Sequence, residues 1–178
     1  MPVKGGTKYK AAIDELAAKL AKPGTLRVGF LDNAKYPSGM PVAAVAAIQN
    51  FGAPRANIPP RPFFSNMVSA KKEEWGPGAA AVLKANKGDT IKTLGILGEV
   101  IKGQLIESII ATDSPPLRPI TLMLRKMRSE DQNLIVTGKT VGEAARRVEA
   151  GESTAGVNTK VLDDTGFMLS RVDSEIAT

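Results

Sequence analysis

Apolar residues recur at helical spacing near the start of the chain. Ile13, Leu16, Ala17 and Leu20 share one face, which predicts a helix over Tyr9–Ala21 that Pro23-Gly24 ends. The period then drops to two. In Thr25–Leu31, Leu26, Val28 and Phe30 alternate with Arg27 and Gly29, the pattern of a half-buried strand. Turn formers fill Asp32–Pro41. Val42–Phe51 predicts a second helix, and Gly52 can take the positive φ that ends one. Ala56–Pro60 reads as extended, and Pro62 stands where a first helical residue would. A helix is expected from Phe63 to about Trp75, broken by Gly76-Pro77-Gly78, with a short helix over Ala79–Asn86. Asp89 is placed to cap a long helix, Thr90–Ala111, with the stripe Ile91, Leu94, Leu97, Ile101, Leu105 and Ile109. Gly95, Gly98 and Gly103 each weaken that helix by ~1 kcal/mol relative to Ala, which is tolerable where another backbone packs close.

Asp113–Pro119 is a stiff loop, and a helix restarts over Ile120–Met127. Leu134-Ile135-Val136 predicts a short strand within Asp131–Thr137. Lys139–Ala150 is helical by composition and ends at Gly151, and Glu152–Asn158 is a polar loop. Asp164-Thr165-Gly166 can start a last short helix through Val172, and Asp173–Thr178 can pair as an edge strand. The sum is an α+β fold in one domain, 1–178. A small antiparallel sheet packs against several helices, and 129–160 forms an inserted excursion.

Ala44–Phe64 concentrates rigid devices that carry no reactive group. Pro59, Pro60 and Pro62 hold Ile58-Pro59-Pro60-Arg61-Pro62 extended without donating backbone N–H groups. Phe63 and Phe64 follow as a pair able to plug into an apolar pocket. The segment therefore reads as an arm and an anchor for gripping another subunit.

Composition narrows the chemistry. The chain has no Cys and no His, which removes thiolate nucleophiles, disulfides, the commonest general base and the commonest metal ligand. Carboxylate and lysine chemistry remain available. Aromatic content is 4%, so the core must be mainly small and aliphatic. No apolar run approaches the ~20 residues of a membrane span, and the first ten residues lack the apolar stretch of a secretory signal. A chain of the cytoplasm, or of a particle assembled there, is expected. The charge of +6 is uneven. Lys4, Lys8, Lys10, Lys19, Lys22 and Arg27 crowd the beginning, and Arg118, Arg125, Lys126 and Arg128 form a second basic group. These read either as surface decoration or as contacts to nucleic-acid phosphates or an acidic protein surface.

Three motifs imitate known sites. Gly138-Lys139-Thr140 lacks the leading glycine of a phosphate loop, because Asn133 occupies that position. Asp164-Thr165-Gly166 imitates an aspartic-protease signature, but only twelve residues follow it, too few for the flap and wall strands that chemistry needs. A cap at Asp164, with Gly166 giving room for close packing, is the simpler reading. Pro116-Leu117-Arg118-Pro119 imitates a PxxP ligand and reads better as a connector between helices. Trp75 is expected to be partly buried.

Four segments in order resemble a known family: VAAVAAIQNFGAPRANIPPRPFF, LGEVIKGQLIESI, PPLRPITLMLRK and LDDTGFMLSRVDSEI. They look like the virion-morphogenesis proteins of tailed bacteriophages, the tail-completion or neck group. The matching positions are Phe51, Gly52, Ile58, Pro59, Arg61, Pro62, Phe63, Leu117, Pro119, Thr121, Lys126, Asp164, Thr165 and Gly166. The excursion at 129–160 is longer than that resemblance leads one to expect. The resemblance implies a structural subunit of the virion, without cofactor or catalytic group. It would form a homo-oligomeric ring at the head–tail junction, between the portal-side connector and the tail-tube or terminator proteins. Ile58–Phe64 would lock onto a neighbour. Arg118, Arg125, Lys126 and Arg128 could touch genomic DNA through phosphates. Two other readings compete: a nucleic-acid-binding accessory protein of particle assembly, and a carboxylate-dependent hydrolase using Asp164.

Overall fold

A computed structural model describes residues 6–20, 24–31, 34–36 and 39–177. The expected stop at Pro23, the charges at Lys4 and Lys22, and parts of the 32–41 loop lie outside the described residues. In chain order the elements are α1 (Gly6–Leu20), β1 (Thr25–Gly29), α2 (Val42–Phe51), α3 (Phe63–Ala85), α4 (Thr90–Ala111), α5 (Pro119–Glu130), α6 (Gly138–Glu149) and β2 (Asp173–Ala177). Short 3-10 turns cover Pro54–Ala56 and Leu169–Arg171. The architecture is α+β, a two-stranded antiparallel sheet against helices.

β2 returns from the end of the chain to pair with β1, with Thr25 opposite Ala177 and Gly29 opposite Asp173. This ladder lies on α4. Buried Gly98 makes the approach possible, since a Cβ there would stand 3.0 Å from both Ser174 Oγ and Leu26 Cδ1. Gly103 faces open space, so no packing offsets its helix penalty. The α4 cap forms as expected, with Asp89 Oδ1 accepting from the Lys92 N–H at 3.0 Å.

The main core joins Val42 and Ala46 of α2, Phe63 and Met67 of α3, Ile101, Leu105 and Ile109 of α4, and Val161, Leu162, Met168 and Val172 of the C-terminal segment. Phe30 packs edge-on against Phe63, with ring centroids 6.3 Å apart. Burying each large side chain contributes about 1.5–3 kcal/mol, so the fully covered Phe63 and Leu105 are principal supports.

The expected break at Gly76-Pro77-Gly78 does not occur, and α3 runs unbroken through Pro77. A proline removes one helix hydrogen bond, but the glycines beside it meet nothing within 4 Å and Glu73 is exposed, so the orphaned Glu73 carbonyl can turn to water. Packing of α3 on α4 helps hold the helix together. Part of it is a 2.8 Å bond from Trp75 Nε1 to Gln104 Oε1, which accords with the partly buried role expected of Trp75.

The expected strand at Leu134–Val136 is absent. Leu134 turns inward to a second, smaller apolar cluster of Met123, Met127 and Ala144, while Ile135 remains 75% exposed. The 129–160 excursion thus supplies α6, which pairs with α5 as a helical hairpin. α6 opens on a capping box between Thr137 and Thr140, so the Gly138-Lys139-Thr140 triplet is the first turn of a helix.

Candidate functional site

The corner joining α2 to α3 is built from a polar residue on an apolar face. Asn50 follows Val42 and Ala46 at steps of four and is buried with them. Its Oδ1 accepts from the backbone N–H groups of Phe64 at 3.0 Å and Ser65 at 3.1 Å, and its Nδ2 donates to Ser65 Oγ at 2.8 Å. Pro62, which precedes α3, provides no side-chain cap, so Asn50 caps that helix from outside it.

Between the two helices the chain doubles back. Gly52 has φ +77, and a Cβ there would lie 2.9 Å from the Pro60 nitrogen and 3.0 Å from the Ile58 oxygen. Ala53 and Ile58 exchange backbone hydrogen bonds at 2.9 and 3.1 Å, and Arg61 N–H donates to the Gln49 carbonyl at 2.7 Å. The expected extended arm over Ala56–Pro60 is therefore a folded loop that includes a 3-10 turn and a left-handed Asn57.

Two of the expected gripping residues belong to the interior. Arg61 is 6% exposed, donating to Gln49 Oε1 at 2.9 Å and to the Pro115 carbonyl at 3.2 Å. Burial, with the charge of Arg125, pulls its pKa down. Phe63 is 1% exposed and fills the core. Ile58, Pro59 and Pro62 are half-buried, and Pro60 is exposed. What the corner presents to solvent is Phe51, 72% exposed, and Phe64, 37% exposed, beside the uncovered Ala43, Ala44 and Ala47 of α2.

The second basic group, which the sequence offers for phosphate contacts, is engaged within the chain. Arg125 donates to the carbonyls of Asn158 and Lys160, both at 2.7 Å, and pairs with Asp164 at 3.1 Å. Arg128 also pairs with Asp164. Lys126 donates to Glu152 Oε1 and the Ser153 carbonyl, both at 2.8 Å, and Arg118 to Asn57 Oδ1 at 2.8 Å. Arg125, Lys126 and Arg128 pin the loop after α6 and the 158–164 segment to α5, and Arg118 ties the start of α5 to the α2–α3 loop. Burial lowers the Arg125 pKa despite the opposing charges of Asp164 and Asp163.

Asp164 thus serves as a clamp, in place of the expected helix cap. Asp163 makes the turn instead, its Oδ1 accepting from the Gly166 N–H at 2.6 Å. Gly166 supplies a positive φ of 72°, and a Cβ there would meet nothing closer than 4.0 Å, so close packing is not its role. Thr165 is exposed. Leu117 packs against the main core, Pro119 opens α5, and the Thr121 N–H bonds the Arg118 carbonyl at 2.9 Å. Nearby, the Tyr36 ring lies tilted against Phe167 with centroids 4.9 Å apart, and burial followed by the Asp164 charge pushes its pKa up. An open groove of about 430 Å³ beside β2 carries Lys102, Arg171, Asp173 and Glu175, with Lys102 and Asp173 already paired at 3.1 Å.

Sequence reasoning misses Asn50, although a polar residue four positions after Ala46 on an apolar face is a signal that could find it. Its partners could not be read from the sequence. Comparison with protein-family models, curated proteins and solved structures gave no match for the chain. Among the described residues no helix is long and apolar enough to cross a membrane.

Proposed function

We propose that the chain is a structural subunit of a tailed-phage virion, joining the portal-side connector to the tail as one copy in a ring around the DNA. The observation that supports this reading most is the α2–α3 corner. There an exposed phenylalanine, Phe51, and a partly exposed one, Phe64, stand on backbone that Asn50, Gly52 and the Ala53–Ile58 pairing hold rigid. Ordering such a surface before contact reduces the entropy lost on association. An apolar corner on one copy meeting a different face of the next is a heterologous contact, which forms a ring when the rotation between copies closes. The resemblance of the four sequence segments supplies the particular assembly.

Deleting residues 58–64 would remove Arg61 and Phe63 and would report on folding. Point variants at the corner separate the two effects. The Phe51→Ser/Phe64→Ser double variant is expected to keep the wild-type circular dichroism and a cooperative urea transition, with stability lowered by no more than about 2 kcal/mol. It is also expected to lose ring formation in mass photometry and electron microscopy, and to fail to restore infectivity to particles lacking the subunit. Wild-type rings and full infectivity from that variant would overturn the reading.

A further inference from the structure

We propose that the turn between α3 and α4 contacts the phosphate backbone of double-stranded DNA through Lys84, Lys87 and Lys92. The turn is a Schellman motif: the Gly88 N–H bonds the Leu83 carbonyl at 3.0 Å and the Lys87 N–H bonds the Lys84 carbonyl at 3.2 Å. In that motif the residue just past the helix cap is left-handed and is usually glycine, sometimes asparagine. Here it is Lys87, with φ +53.

Lys92 is misplaced by the same standard. It occupies the third position of α4 after the Asp89 cap, where a capping box places Glu or Gln. A cation there also opposes the positive end of the helix dipole. Two lysines at one turn therefore run against local folding preference, which points to a use for their charge outside the chain.

The surroundings leave that charge available. Lys84, Lys87 and Lys92 are exposed and make no ion pair among the described residues. Asp89 is the one carboxylate between Trp75 and Gly98 in the sequence, and it is occupied as the cap. The neighbouring Lys19 is already paired with Glu15 at 2.8 Å. The turn is also firmly seated. Thr90 Oγ1 donates to the Lys19 carbonyl at 3.0 Å, and Leu16 packs where a Gly88 side chain would go.

The chemistry favours duplex phosphates over other anions. Lysine ammonium groups act as point charges that need no directional partner, and backbone contacts of this kind carry no sequence information. No aromatic residue lies between Gly76 and Gly98 to stack an unpaired base. Lysine is depleted at the cores of protein–protein interfaces.

The test is fluorescence anisotropy of the full chain with a labelled mixed-sequence duplex over a salt series. Lys87→Gly and Lys92→Glu are each expected to raise the melting temperature while weakening binding. Adding Lys84→Gln to both should flatten the plot of log K against log salt by about 0.9 per lysine removed. Lys87→Arg should bind as wild type does. A wild-type slope in the triple variant would overturn the proposal, and so would tighter capture of poly-glutamate than of the duplex. The measurement concerns the isolated subunit. Its failure would leave the ring-forming corner untouched, and unchanged ring assembly by the triple variant is expected.

Discussion

Asn50 and Phe64 are joined by a 3.0 Å bond from the backbone N–H of Phe64, at the start of α3, to the side-chain Oδ1 of Asn50, near the end of α2. Removing the Asn50 side chain leaves that donor and the Ser65 N–H without their acceptor in a partly buried place. Asn50→Ala should lower stability by about 1–3 kcal/mol in urea denaturation. Asn50→Asp keeps the acceptor and loses the donor to Ser65, so its loss should be smaller.

The adjacent phenylalanines should behave as opposites. Phe63 sits at the centre of the core against Phe30, so Phe63→Ala should cost about 3–5 kcal/mol. Phe64 faces partly outward, and Phe64→Ala should stay within about 1 kcal/mol of wild type by the same urea measurement.

Tyr36 should ionise late. In a Tyr9→Phe background, an ultraviolet titration should place its phenol above the ordinary value of 10.0. Because the folded value exceeds the unfolded one, the stability this contributes is whole below the unfolded value and is lost as pH rises through the folded one. Asp164→Asn should bring the phenol part of the way down, since burial is the larger cause. The same substitution unpairs Arg125 and Arg128, so amide exchange over 158–166 should quicken.

Where burial follows local periodicity, sequence and structure agree. The α4 stripe and its Asp89 cap are set by residues three and four apart, and the ends of that helix, Thr90 and Ala111, lie where the pattern places them. The alternation around Val28 likewise specifies a half-buried strand. Disagreements arise where a distant partner decides. Pro77 stays inside α3, which packs along α4, and Leu134–Val136 is no strand because Leu134 is drawn into the apolar cluster between α5 and α6. The candidate site was legible as a region, Ala44–Phe64, but its inner and outer residues were not told apart. Two adjacent aromatics look alike in sequence, and only the bond from Phe64 to Asn50 and the approach of Phe30 to Phe63 turn one out and the other in.

By itself the sequence settled the α+β class, the long capped helix, the positive-φ glycine after α2 and the absence of histidine and cysteine chemistry. These rest on spacing, on single-residue backbone preference and on composition, which neighbours in space cannot alter. The tertiary structure alone decided that the prolines fold back on their own helix, that Arg61 and Phe63 are internal, and that the cations of α5 are spent on Asp164, Glu152 and nearby carbonyls. A charge or an aromatic ring has no fixed role along a chain. Its role depends on whether the fold brings a carboxylate, a carbonyl or an apolar wall within a few ångströms, and those partners lie tens of residues away in sequence.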